Sequence, residues 1–231
     1  MKVAHDPVVA ERFPGHATGV IRARAPSLLP DRGAVESLRQ RLSASGADHA
    51  RMAAKRWREV FAKMGAKPKH RSSIDALAGR FDEVGPSGVG PGLPPLVEFY
   101  NLLSLVLAVP MGGYRTDRIV GDLRLTVPGK GKPFTPLGRP REEERTRGGE
   151  VAYLDDEKVV CRYWNLVDSD QTKLGQDHAD VLFVFDFISD LLPISPESFL
   201  AETEAVINGA LPAATTSSGV ADGARVDVVV V

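Results

Sequence analysis

A run of glycine and proline residues from Val84 to Pro95 separates two halves of this chain that have different sequence patterns. So many residues that break regular structure indicate a loop. Between Gly33 and Gly65, apolar residues recur at the helical period, and Gly46 is expected to separate two helices there. After Gly113, β-branched and aromatic residues form short stretches between turn residues, which is typical of strands. These patterns predict a mixed α/β protein of the α+β type, in which helices flank antiparallel-rich sheets in a sandwich-like arrangement.

Two further helices are expected in the second half. Pro95 stands where a helix tolerates proline, in its first turn, and the apolar stripe that follows it predicts a buried helix that ends before Pro110. A last helix is expected over residues 197–207. We expect one domain over residues 1–209 and a poorly ordered tail over residues 210–231, because small residues dominate that segment.

The charge balance excludes a strong general attraction to polyanions. Lys and Arg number 29 against 30 Asp and Glu, so the net charge is −1. A nucleic-acid surface would have to be local. The basic residues do concentrate over residues 51–80, where nine Lys and Arg face only Glu59 and Asp75. A phosphate-binding face and an ordinary solvated helix surface both remain open for this segment.

Cysteine and histidine usage predicts neither a disulfide nor a metal site. Cys161 is the single cysteine, and the five histidines lack ligand spacing, so no metal or cofactor is expected. The N-terminus lacks the apolar core of a signal peptide, and the longest apolar run, residues 102–110, is too short to span a bilayer. We therefore expect a cytoplasmic protein without membrane association.

Three positions carry candidate chemistry. Asn101 lies in the middle of a predicted helix, where its amide either orients water or a substrate amine or bonds a neighbouring loop. Gly112 and Gly113 are expected to turn the chain, and their backbone amides are also candidates for binding a carbonyl oxygen or a phosphate. Arg162 and Trp164 should share one strand face, where they would suit a nucleobase or a cationic amine, unless Trp164 anchors the core.

Several segments, taken in order, resemble a known family. They read Trp57-Arg-Glu59, Arg71-Ser-Ser-Ile-Asp-Ala-Leu77, Pro95-Leu-Val-Glu-Phe-Tyr-Asn101, Val109-Pro-Met-Gly112-Gly113, Cys161-Arg-Tyr-Trp164-Asn165 and Val181-Leu-Phe-Val-Phe-Asp186. This order resembles the B3/B4 domain of the phenylalanyl-tRNA synthetase β chain in its free-standing form, over roughly residues 50–190. In the synthetase that domain is a proofreading site, which hydrolyses tyrosine wrongly attached to the phenylalanine tRNA. The resemblance implies a B3/B4-like fold, an aminoacyl-tRNA ester as the substrate class and tRNA as the partner.

The resemblance also implies roles for individual residues, with several departures. Asn101 falls where the synthetase helix has an editing-pocket asparagine, whereas Gly112 replaces a histidine and Tyr100 replaces a threonine. Trp164 and Asn165 stand near a diglycine that lines the synthetase pocket. Val184, or Asp186 after a shift of two residues, stands near its pocket glutamate. Larger residues in place of glycines predict a pocket that is smaller or lined differently, so tyrosine is not the expected substrate.

Three functions follow as hypotheses: a trans-acting hydrolase of mischarged or non-standard aminoacyl-tRNA, a non-catalytic module that binds tRNA or a nucleotide, and an acyl-transfer or small-molecule enzyme that reuses the pocket. The residues assigned to the site form three sets. They are Asn101, Gly112 and Gly113 for catalysis; Tyr100, Ser104, Arg162, Trp164, Asn165 and Asp186 for the substrate pocket; and Lys63, Lys67, Lys69 and Arg71 for tRNA binding.

Overall fold

The computed structural model describes residues 1–90, 92–222 and 227–231. The helices of this part are α1 (Pro7–Arg12), α2 (Arg32–Ser45), α3 (Asp48–Lys63), α4 (Ser73–Val84), α5 (Pro95–Leu107) and α6 (Pro196–Ala210). Side chains of Asp31, Ser72 and Ser195 accept hydrogen bonds from backbone N–H groups in the first turns of α2, α4 and α6. Gly46, with φ of 67°, follows α2 and separates it from α3, as the sequence predicts.

Twelve strands in the described part of the chain form three sheets. They are β1 (Lys2–His5), β2 (His16–Arg24), β3 (Met111–Arg115), β4 (Leu123–Thr126), β5 (Pro133–Phe134), β6 (Glu144–Arg145), β7 (Ala152–Leu154), β8 (Val159–Arg162), β9 (Val167–Asp168), β10 (Asp180–Ile188), β11 (Thr215–Ala221) and β12 (Asp227–Val229). One sheet has the order β12-β1-β4-β7-β8-β9, a second has the order β11-β2-β10-β3, and β5 pairs with β6. The pair β1 and β4 is parallel and the other pairs are antiparallel, which confirms the expected mixed α/β architecture.

Strand β10 runs through the centre of the protein. All seven residues from Val181 to Phe187 are buried, because helices cover one face of the strand and the larger sheet covers the other. On the helical face, Phe187 packs against Phe199 of α6 with ring centroids 5.5 Å apart. Side chains alternate along a strand, so Asp186 points to the opposite face, toward the larger sheet. The fold therefore places a carboxylate inside an otherwise apolar strand.

Gly112 and Gly113 do not form the expected turn, because both lie within β3. They pair with Val184 and Phe183 of β10. A Cβ atom on Gly113 would lie 2.9 Å from the Tyr100 ring, and one on Gly112 would lie 2.9 Å from the Tyr114 hydroxyl. Glycine is needed at these positions for close packing.

The expectation of a poorly ordered tail from residue 210 is also wrong for the segments that the structure describes there. Strand β11 pairs with β2 along seven residues, and β12 pairs with β1. Ser, Thr and Gly in β11 show no apolar alternation, yet the backbone ladder with β2 holds the strand, and Val220 and Ala221 are buried. Residues 223–226 of the expected tail lie outside the described residues. No helix in the described part of the chain is long and apolar enough to cross a membrane.

We predict that Gly19→Ala destabilises the fold. Gly19 lies in β2, and an added Cβ would stand 2.5 Å from the Phe187 ring and 3.1 Å from Leu200. Overpacking of this kind costs about 1–3 kcal/mol in the free energy of unfolding, measured by urea denaturation. Gly209→Ala is the matched control, because this helical glycine has nothing within 4 Å of its Cβ position and should gain about 0.5–1 kcal/mol. Equal effects of the two substitutions would contradict the packing described around Gly19.

Candidate functional site

A tight turn between β8 and β9 directs neighbouring side chains in opposite directions. Tyr163 and Trp164 have φ values of 49° and 68°, a left-handed conformation that costs free energy for residues other than glycine. The strand predicted through Trp164 therefore ends at Arg162. The backbone amide of Trp164 donates to the Val151 carbonyl at 2.7 Å. The Trp164 indole is fully buried, whereas the Tyr163 side chain remains partly exposed. These inward contacts hold the turn in its strained conformation.

Asp186 accepts hydrogen bonds from three side chains. The Tyr153 hydroxyl and the Trp164 indole donate to Oδ1 at 2.5 and 3.1 Å, and the Asn165 amide donates to Oδ2 at 2.9 Å. Asp186 is only 3% exposed. Burial raises the pKa of its carboxyl group to about 6, although the three donors oppose that rise. A carboxyl group with this pKa can exchange a proton near neutral pH.

Two buried histidines extend this group of polar side chains. His16 Nε2 lies 3.7 Å from Asp186 Oδ1, and His5 Nε2 lies 3.1 Å from His16 Nδ1. Burial lowers the pKa of His5 and lowers that of His16 further, so both imidazoles are neutral at pH 7. Sequence patterns alone indicate no role for these residues, because only the packing of β1 and β2, which belong to different sheets, brings the two rings together. Among the described residues, no group of three or more His, Cys, Asp or Glu is arranged to hold a metal ion.

Asp186 lines a cavity of about 450 Å³, which we call the Asp186 cavity. Its walls come from α3, the chain after α5, the end of β10 and α6, and most of the lining residues are apolar. They include Ala53, Trp57, Val109, Ile188, Leu192 and Phe199. His49 is the other lining residue that can titrate. A mainly apolar cavity with few polar groups is typical of a small-molecule site.

The cavity lies where β10 extends beyond its neighbour β3. The Asp186 amide donates to the Pro110 carbonyl at 3.1 Å, and β3 starts at the next residue, Met111. In the described part of the chain, no strand pairs with β10 on this side after that point. Amides of alternate strand residues point to the same side, so the Ile188 amide is directed toward the cavity that it lines. Asp186 and the strand-edge amide of Ile188 thus both lie in the wall of the same cavity.

The predicted substrate-pocket residues separate into three places. Trp164, Asn165 and Asp186 form the hydrogen-bonded group described above. Tyr100 packs over Gly113 and against Phe183, with ring centroids 6.4 Å apart. Ser104 and Arg162 lie apart from the cavity and from each other. The Ser104 hydroxyl donates to the Val109 carbonyl at 2.6 Å, and Arg162 is buried in ion pairs with Glu150 and Glu144.

The predicted catalytic residues do not line the Asp186 cavity. Asn101 is half-buried on α5, and its side-chain amide makes no hydrogen bond with any residue that the structure describes. The Tyr114 hydroxyl, which donates to Asp168 at 2.9 Å, occupies the space over Gly112. The catalytic roles of Asn101, Gly112 and Gly113 stay predictions.

The basic residues of segment 51–80 do not form one continuous face. Arg51, Arg56 and Arg58 are engaged in ion pairs with acidic side chains. Of the predicted tRNA contacts, Lys63 lies 5.3 Å above the Phe13 ring and Arg71 is exposed. The other two, Lys67 and Lys69, line a separate recess.

The raised pKa of Asp186 predicts a specific dependence of stability on pH. Its carboxyl group titrates near 3.8 when unfolded and at about 6 when folded, so the native state binds more protons between these values. The free energy of unfolding should therefore fall by about 3 kcal/mol through this group as the pH rises from 4 to 7. Urea denaturation of the wild type and Asp186→Asn across this range measures the effect, because the variant lacks the titration. A difference between the two proteins that does not change with pH would contradict the burial of this carboxyl group.

Comparison with known proteins places the chain in a family. Residues 56–192, more than half of the sequence, match the family model of the B3/4 domain. No curated protein matches the chain. A solved N-terminal fragment of the phenylalanyl-tRNA synthetase beta-subunit from Pyrococcus horikoshii aligns with 93% of this chain at 11% identity and a TM-score of 0.44. The alignment covers 49% of that fragment, so the chain spans about half of its length. On the family match, this chain belongs to the B3/4 domain family, as the resemblance in its sequence predicts.

Proposed function

We propose that this chain is a trans-acting aminoacyl-tRNA deacylase, and that the aminoacyl group enters the Asp186 cavity. The observation that carries the proposal is a buried carboxyl group with a pKa of about 6 at the wall of a mainly apolar cavity. Membership of the B3/4 domain family supports a module related to tRNA synthetases. Binding of tRNA and action in the cytoplasm are parts of the same proposal.

In the proposed reaction, Asp186 acts as the general base. Its carboxylate takes a proton from a water molecule, and the water oxygen forms a bond to the ester carbonyl carbon. The Ile188 amide donates to the carbonyl oxygen as negative charge develops there. The bond to the ribose oxygen then breaks, and the proton held by Asp186 passes to that oxygen. The products are a free amino acid and a tRNA with its terminal hydroxyl restored.

The hydrogen bonds around Asp186 suit this role. Tyr153, Trp164 and Asn165 fix the carboxylate without a buried cation beside it. A cationic partner would hold the pKa low and make the carboxylate a weak base. The neutral imidazole of His16, at 3.7 Å, leaves this balance unchanged.

Binding of tRNA or a nucleotide without hydrolysis is the second candidate function. It is favoured by the positions of Asn101, Gly112 and Gly113, which were assigned to catalysis and lie away from the Asp186 cavity. This alternative predicts RNA binding and no loss of ester from any charged tRNA.

We predict that the purified protein hydrolyses at least one member of a panel of aminoacyl-tRNAs, and that Asp186→Asn lowers its rate about 10²–10⁴-fold. The measurement is the loss of labelled amino acid from tRNA. Asn101→Ala should keep most of the activity, because Asn101 does not line the cavity. An equal loss in both variants would instead assign the reaction to the α5 site, and binding without hydrolysis would establish the second function.

Filling the Asp186 cavity should block the reaction independently of the carboxylate. Ala53 of α3 lines the cavity, and Ala53→Leu adds bulk there. We expect kcat/KM for the best substrate to fall at least tenfold, which corresponds to about 1.4 kcal/mol of lost transition-state stabilisation. Ala62→Leu, at an exposed position of the same helix, is the matched control and should leave kcat/KM unchanged. Unchanged kcat/KM in Ala53→Leu would place the substrate elsewhere.

A further inference from the structure

A second recess, of about 410 Å³, lies beside the outward face of the Tyr163–Trp164 turn. Four parts of the chain contribute to it: residues 67–70, Phe134, residues 139–147 and residues 162–167. We call it the cationic recess, and the residues that characterise it are Lys67, Lys69, His70, Arg147, Arg162 and Tyr163. The first three of these residues lie in segment 51–80, and the other three come from later parts of the chain.

Three cationic side chains of the recess lack partners. Those of Lys67, Lys69 and Arg147 are exposed and form no hydrogen bond or ion pair with any residue in the described ranges. Arg139 and Arg162, which also line the recess, are paired with glutamates that include Glu144. Glu144 is the carboxylate among the lining residues, so the recess keeps a surplus of positive charge. A bound anion would relieve the repulsion between the unpaired cations.

Three flat side chains lie close together along one wall of the recess. The His70 ring lies 4.5 Å from the Tyr163 ring, and the Arg162 guanidinium lies 5.1 Å from the same ring. His70 Nδ1 is buried and has no hydrogen-bond partner among the described residues. Burial, then the charges of Lys69, Lys67 and Arg147, lower the pKa of His70, so its imidazole is neutral at pH 7. Aromatic and guanidinium planes are surfaces on which nucleobases stack.

We propose that the cationic recess binds a nucleoside monophosphate unit, with its phosphate on Lys67, Lys69 and Arg147 and its base on the Tyr163 and His70 rings. The phosphate supplies a negative charge beside the unpaired cations. The base supplies a flat surface against which the partly exposed Tyr163 ring can pack. The unit is either a free nucleotide or one nucleotide of an RNA strand. The recess is separate from the Asp186 cavity, so binding here does not depend on hydrolysis there.

Calorimetric titration of the full chain with AMP, ribose 5-phosphate and adenosine at low salt tests the proposal. AMP should bind most tightly, ribose 5-phosphate more weakly and adenosine most weakly of the three. Raising the salt concentration should weaken AMP binding, as expected for phosphate contacts. Lys67→Gln, Lys69→Gln and Arg147→Gln combined should raise the Kd of AMP at least tenfold. Lys55→Gln, an exposed lysine that does not line the recess, should leave the Kd unchanged.

The aromatic wall is tested with two substitutions of Tyr163. Tyr163→Phe keeps the ring and should bind AMP within about twofold of the wild type. Tyr163→Leu should weaken AMP binding roughly five- to 150-fold, toward the affinity of ribose 5-phosphate. The triple variant removes only exposed side chains, so its result stands even if Tyr163→Leu does not fold. An absence of AMP binding at low salt, or equal binding by the triple variant and the wild type, overturns the proposal.

Competition distinguishes the two sources of the nucleotide. If a single-stranded RNA oligonucleotide displaces AMP, the recess holds a nucleotide of an RNA strand. If AMP remains bound in the presence of that RNA, the recess binds a free nucleotide, which also supports the site. Because no charged tRNA is used, AMP binding is measured independently of deacylation.

Discussion

The burial of the Asp186 carboxylate is the constraint on which the arrangement of the site depends. An ion removed from water is costly unless hydrogen bonds replace its solvation, and three donors from β7 and the turn after β8 do so here. These bonds join β10, in the four-stranded sheet, to the six-stranded sheet. The carboxylate therefore helps to fix how these two sheets face each other. The Thr18 hydroxyl of β2 lies 3.1 Å from the Tyr153 hydroxyl and extends the contact to another strand. Removing one donor would leave part of a buried charge unsatisfied, which ties the structure of the turn to the state of Asp186.

The Tyr163–Trp164 turn serves both proposed sites because it is strained. Two successive residues with positive φ send Trp164 inward to Asp186 and leave Tyr163 outside, beside Lys67, Lys69 and Arg147. A regular strand would also send the two side chains in opposite directions. It would not turn the chain after Trp164, however, and the Asn165 amide would then not reach Asp186. The turn thus brings Trp164 and Asn165 to the same carboxylate.

Local signals in the sequence predicted the helices well and the site poorly. The apolar period and the break at Gly46 both act within a few residues, so α2 and α3 appear where they are expected. Strand β11 was missed because its pairing with β2 is a long-range contact between residues that carry no apolar alternation. His5 and His16 were missed for a similar reason, since only long-range packing brings His5 to His16 and His16 to Asp186. Asp186 itself was identified only by shifting the alignment with the synthetase by two residues, from Val184.

The difference between the predicted and observed surroundings of Gly112 and Gly113 has a packing origin. A glycine opens space next to the backbone only if no neighbour occupies it, and here the Tyr100 ring covers Gly113 while the Tyr114 hydroxyl covers Gly112. Both rings are buried, and Tyr114 is held by its bond to Asp168. Opening this position to a ligand would expose two tyrosine rings and break that bond. At the end of β10, by contrast, the strand extends beyond β3, and Asp186 and the strand edge at Ile188 lie in the wall of an existing cavity. Chemistry at Asp186 therefore requires less rearrangement of the fold than chemistry at the two glycines.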